Sequence, residues 1–228
     1  MQADFSRPFL AIDTSTAFLS LAVYHQARYV SRHVAANNQQ SECILPLIHE
    51  LFVEAGVQTS DLGAIVYAQG PGAFTGLRIG IGVAQGLAAP FHIPLIGIPC
   101  LDAVAYGVPS HACVLAATDA RMGEVFYVWF DTLHHVRLSD YQVGKAAEVV
   151  LPKDRALEQA QGVGNAFALA ESLPCVGTPQ MPTAVDYVKL ALTGRYAATS
   201  AAQAELLYVR NKIALTASEQ AARKAASC

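Results

Sequence analysis

Two carboxylates stand where an apolar run gives way to a polar turn. Asp13 ends FLAID before TSTA, and Asp119 follows CVLAAT and opens DARMGE. A carboxylate so placed either closes its own turn by accepting backbone N–H groups or meets a ligand. Thr14 and Arg121 are the neighbours that would share such a contact, and for Asp119 and Arg121 the further reading is a partner or RNA. The seven histidines (25, 33, 49, 92, 111, 134 and 135) contain neither HxxxH nor HExxH, and the five cysteines (43, 100, 113, 175 and 228) contain no CxxC. No metal ligand set and no catalytic residue are therefore assigned. The cysteines, scattered and odd in count, read as free thiols of a reducing compartment. GPGAFTG offers an anion a tight turn, Gly70, Pro71 and Gly72, ahead of a helix N-terminus with Thr75 as its cap. It lacks the GxxxxGK[ST] and GxGxxG spacings of nucleotide loops.

The elements that position these residues follow from periodicity. FLAID, then FLSLAVYHQ, make a hairpin, and CVLAAT with VFYVWFD makes a second, too aromatic and β-branched for a helix. Two strand–Asp–turn–strand units predict two related lobes. After the first hairpin come a helix at 41–55, a strand at 64–68, a helix at 76–89 and a strand at 94–98, an α/β lobe with a mixed sheet. Ile44, Leu47, Ile48, Leu51, Phe52 and Ala55 give the first helix one buried stripe, with Ser41 as N-cap and Gly56 as stop. Pro46 either kinks it or marks a later start. Residues 140–185 show little pattern, and 184–196 is amphipathic.

The second helix is the unusual one. Gly76, Gly80, Gly82 and Gly86 each cost roughly 1 kcal/mol relative to alanine in a helix, so something must offset them. Gly76, Gly80, Ala84 and Ala88 form one smooth stripe, and Gly82 and Gly86 smooth the adjoining row. Either the helix packs tightly on its own sheet, or the smooth face receives helices of another subunit.

Composition removes other classes. A net charge of −3 without a basic run excludes a stand-alone nucleic-acid binder, and 53% hydrophobic residues in 228 exclude disorder. Asp4 and Arg7 spoil a signal peptide, and Arg78, Gln85, Pro90, His92 and Pro94 spoil a span over 76–98. A cytoplasmic protein is expected.

LAIDTST, GPGAFTGLRIGIGVAQGLA, DARMGEV and LYVRN, in that order, resemble the bacterial TsaB (YeaZ) family over nearly the whole chain. The resemblance implies the two-lobed actin/Hsp70/sugar-kinase fold, a duplicated ribonuclease H-like unit. Lobes of 1–105 and 106–204 are expected, with 205–228 packing back on the first. It implies a non-catalytic subunit for tRNA threonylcarbamoyladenosine synthesis that binds a TsaD-like catalytic subunit as a heterodimer. A TsaE-like ATPase joins them, tRNA is reached through the complex, and a homodimer forms when the partner is absent. The helices at 41–55 and 76–89 would meet that partner through Leu45, Ile48, Phe52, Gly76, Leu77, Gly80, Ile81, Ala84 and Gln85. TsaD carries its metal on an HxxxH pair whose places here fall near Cys100 and Val104, so no metal and no metallopeptidase activity are implied. Asp13 and Asp119 stand where actin-like kinases and ATPases manage magnesium nucleotide. That keeps an ATPase or kinase as the rival reading, with ATP and magnesium at the complex junction the alternative to no cofactor. Gln40 replaces a common histidine, Ala73 the usual serine of the glycine turn, and Leu206–Leu207 a Pro–Val.

Overall fold

The structure, a computed structural model, describes residues 1–169 and 173–209. β1 (Phe9–Asp13) and β2 (Phe18–His25) form the first hairpin, and β3 (Arg28–Ala35) extends it. α1 (Gln40–Ala55), β4 (Ala64–Gly70), α2 (Phe74–Ala88), β5 (Leu95–Pro99) and α3 (Cys100–Ala105) follow. The second half holds β6 (Val114–Arg121), β7 (Glu124–Asp131), β8 (Val136–Arg137), β9 (Gln142–Lys145), β10 (Gln161–Val163) and β11 (Gly177–Thr178). α4 (Ala184–Leu192) and β12 (Ala198–Thr199) complete it.

The first sheet runs β12-β5-β4-β1-β2-β3 and the second β11-β10-β6-β7-β8, with β9 also on β7. Each is built around an antiparallel hairpin, β1–β2 or β6–β7. The hairpin's first strand takes a parallel neighbour on its other side, β4 or β10, and a further parallel strand, β5 or β11, follows. This shared order is the duplicated ribonuclease H-like, actin-like plan, and both sheets are mixed and flanked by helices.

Alternation along β1 sends Leu10 and Ile12 to a core shared with Ile44, Leu51 and Ile81 of α1 and α2. Phe9 and Ala11 go to the opposite face, against Tyr187 and Val188 of α4. α3 is buried along its whole length. Cys100 and Ala103 join that second core, while Leu101, Val104 and Ala105 pack on β6 and β7. A lobe boundary between 105 and 106 therefore holds only on one side. α4 packs on the first sheet and β12 pairs with β5, so 184–204 belongs with the first lobe and not, as expected, with the second. The Leu207 N–H donates to the Gln69 carbonyl at 2.9 Å and the Tyr67 hydroxyl to the Glu205 carbonyl at 3.0 Å, which brings 205–209 to the same lobe. Residues 210–228 of the expected C-terminal segment lie outside the described residues.

Both expected helix caps differ. α1 grows directly out of a 3-10 turn at Asn37–Gln39, so Ser41 lies inside it, and Gln39 precedes it without a capping bond. Nor does the helix wait for Pro46, which sits within it. Thr75 lies inside α2, which starts from Ala73. Gly56 does end α1, at φ 65°, donating to the carbonyls of Phe52 and Val53.

Candidate functional site

Asp13 is 5% exposed, and Thr14 and Ser15 are buried with it. The Ser15 N–H donates to Asp13 Oδ1 at 2.9 Å, so the acid closes its own turn. α2 and its leading loop roof that turn. The Ala73 N–H donates to the Ser15 carbonyl at 2.7 Å. A Cβ at Gly76 would overlap the Thr14 carbonyl oxygen, and one at Gly80 the Thr14 hydroxyl, so only glycine lets the helix backbone press so close. Burial pushes the Asp13 carboxyl up, against the pull of its Ser15 hydrogen bonds. Burial also lifts the Cys100 thiol to about 12, with the Asp13 charge nearby adding to it, and raises the Tyr187 hydroxyl well above its usual range. An acid, a thiol and a phenol crowded out of water favour their uncharged forms.

Asp119 makes a looser version of the same turn. Its Oδ1 accepts the Arg121 N–H at 2.7 Å, its Oδ2 faces Arg121 Nη1 at 3.3 Å, and its N–H donates to Asn165 Oδ1 at 2.9 Å. Arg121, Met122 and Gly123 all take positive φ, which carries the hairpin tip out and leaves Met122 exposed. Asp13 bonds to Ser15 in the first lobe and Asp119 to Arg121 and Asn165 in the second, so among these bonds the two carboxylates share no partner.

The residues expected to meet a partner divide. Ile48, Phe52, Leu77, Ile81, Ala84, Gly76 and Gly80 are buried, packed within the chain's own core or against the Asp13 turn, and the smooth stripe is the seat of α2 on its own sheet. That corrects their reading as surface: periodicity names a face without saying which side it looks to. Gln85 is half-buried, and its amide donates to the carbonyls of Ala201 and Ala204 at 2.9 and 3.1 Å, tying down the returning chain. Leu45 remains outside at 54% exposure. About two turns further along α1 stands Val53 at 69%, which the sequence reading passed over although 45, 49 and 53 are spaced four apart. On α2 the outward row is Phe74, Arg78, Gly82 and Gly86, spaced four apart, with Arg78 lying over the exposed Phe74 ring; at the two glycines an added Cβ meets nothing within 4 Å among the described residues.

No group of three or more His, Cys, Asp or Glu residues is placed to hold a metal among the described residues. Cys100 and Val104 are buried. No described helix is long and apolar enough to cross a membrane.

A family model described as TsaD, tRNA N6-adenosine threonylcarbamoyltransferase, matches residues 31–227. The tRNA threonylcarbamoyladenosine biosynthesis protein TsaB of Escherichia coli K12 is 30% identical over 224 residues, 90% of this chain and 95% of that one. The chain belongs to the TsaB (YeaZ) family. TsaB of Haemophilus influenzae is 37% identical over a shorter match of 121 residues, 52% of this chain and 51% of that one. The solved structure of YeaZ from Pseudomonas aeruginosa superposes with a TM-score of 0.78 at 31% identity, covering 89% of this chain and 99% of that one. In this TsaB-family chain the strand-end acids hold their own turns, and the outer side of α1 and α2 exposes Leu45, Val53 and Phe74 together with Arg78 and the open glycines Gly82 and Gly86.

Proposed function

We propose that this TsaB-family chain serves tRNA threonylcarbamoyladenosine biosynthesis as a subunit that docks a TsaD-like catalytic protein, contributing surface and no reactive centre. The observation that supports this best is the pair Gly82 and Gly86, open to solvent on α2 while Leu45 and Val53 stand exposed on α1. Each helical glycine costs roughly 1 kcal/mol relative to alanine. At positions 76 and 80 the close approach of the Thr14 turn accounts for that cost, but at 82 and 86 nothing among the described residues does. A foreign helix laid on the bare backbone would, at an interface of about 800 Å² per partner. The roofed Asp13 turn supports the absence of chemistry of its own. The TsaE-like ATPase and tRNA are reached through the complex, any magnesium nucleotide sits at its junction, and a second copy takes the face when the partner is missing.

Co-expression with a tagged TsaD-like protein tests this. The wild-type chain should co-purify, and Gly82→Leu with Gly86→Leu should abolish co-purification and modified tRNA while the melting temperature of the lone chain holds. Retained co-purification by that folded variant overturns the docking face. Magnesium-ATP turnover by the lone chain overturns the absence of a reactive centre.

A further inference from the structure

The groove between α3 and α4 encloses about 420 Å³ and is bordered by His135, on the turn between β7 and β8. That volume takes a small ligand. Ala103, Val104 and Leu190 make its floor apolar, and the charged and ring groups around it form a donor relay. Arg195 Nη1 donates to the Tyr106 hydroxyl oxygen at 3.0 Å, and the Tyr106 hydroxyl and His135 Nδ1 share a hydrogen bond of 2.6 Å. With Nδ1 accepting, neutral His135 carries its own hydrogen on Nε2, and that nitrogen is a donor. The Tyr106 and His135 rings stack with centroids 5.7 Å apart. His135 also holds a φ of 60°, a conformation few side-chain-bearing residues adopt.

The carboxylate in the lining is already committed. Asp186 accepts from the Thr183 N–H, the Thr183 hydroxyl and Lys189 Nζ at 2.9, 3.0 and 3.1 Å. Arg195 forms no ion pair among the described residues. An uncompensated guanidinium and an N–H donor thus stand over an apolar floor with no free carboxylate, an arrangement complementary to an anion on an apolar body.

We propose that this groove binds a small organic anion, its phosphate or carboxylate group on Arg195 and His135 and its ring-sized apolar body against Ala103, Val104 and Leu190. Arg195 follows α4 on the first sheet and His135 belongs to the second, so the bound acid group ties the two lobes together. The site stands apart from the α1–α2 face and needs no partner chain.

Calorimetric titration of the full chain with phenyl phosphate and with benzoate, and with inorganic phosphate as the probe lacking a body, tests it. Saturable binding of one ring-bearing anion, about 10-fold or more tighter than inorganic phosphate, is expected, and the tighter of the two identifies the acid group. Arg195→Gln should weaken binding about 10- to 100-fold, the loss of a charge-assisted hydrogen bond. Gln180→Trp, an exposed wall position, should block the groove with Arg195 intact. Both variants should melt as the wild type does. No saturable binding of either anion, equal affinity for inorganic phosphate, or affinity unchanged in both folded variants overturns the proposal.

Discussion

Replacing glycine by alanine along α2 should change stability in opposite directions within about three helical turns. At Gly82 and Gly86 an added methyl meets nothing within 4 Å, so alanine contributes only its helix propensity, about 1 kcal/mol at each site. Neither methyl meets another group among the described residues, so the two propensity gains sum to about 2 kcal/mol. For a chain of this size that is a rise in melting temperature of about 4–8 °C. At Gly76 the methyl would overlap the carbonyl oxygen of Thr14, backbone that cannot rotate away, and it would also crowd Gln40 Oε1. Overpacking there costs about 1–3 kcal/mol and exceeds the propensity gain. Gly80→Ala meets the Thr14 hydroxyl, a side-chain atom, and should lose less than Gly76→Ala. Thermal unfolding followed by circular dichroism distinguishes the cases. A Gly82→Ala, Gly86→Ala chain no more stable than wild type, or a Gly76→Ala chain as stable as wild type, would refute the division of α2 into a seated and an open face.

Asp13→Asn should stabilise the chain at pH 7. Because burial holds the folded carboxyl above its usual 3.8, the site's contribution is present in full below that value and is lost as pH rises through the folded one. Asparagine keeps an acceptor for the Ser15 N–H, so the gap between variant and wild type in denaturant melts should close towards about pH 4. Tyr141→Phe removes one of two hydroxyls bonded to the buried Asp102, at 2.6 Å from Tyr141 and 3.1 Å from Tyr196. It should cost about 1–3 kcal/mol, read as a lower denaturant midpoint at unchanged slope. Cys100, whose thiol burial lifts to about 12, should resist iodoacetamide in the native chain and react after unfolding, as mass spectrometry of tryptic peptides would show.

The parts of the fold governed by near neighbours were open to a reader of the sequence. The hairpin around Asp13, the α1 stripe and the Gly56 stop each follow from residues a few positions apart. β3 escaped notice because Gln26 and Ala27 turn the chain with φ of 47° and 60° without the glycine or asparagine that usually marks such a turn. The caps at Ser41 and Thr75 failed because both helices begin earlier, from a 3-10 turn in one case and from the roof of the Asp13 turn in the other. The candidate interface was half legible. Four-residue spacing found the faces of α1 and α2, but only the Thr14 turn, distant in sequence, decides that Gly76 and Gly80 look inward while Gly82 and Gly86 look out. The return of α4 and β12 to the first sheet is a pairing across a hundred residues that no local pattern encodes.

That return has a bearing on synthesis at the ribosome. β5 is complete at Pro99, yet its outer neighbour β12 begins only at Ala198, 99 residues later (198 − 99), and α4, which covers the Phe9 and Ala11 face, begins at Ala184. At roughly 5–20 residues per second the emerging first lobe keeps a bare strand edge and an uncovered greasy face for about 5–20 s. During that interval nascent chains on one messenger are vulnerable to sticking to each other, and a holding chaperone would find its binding surface there.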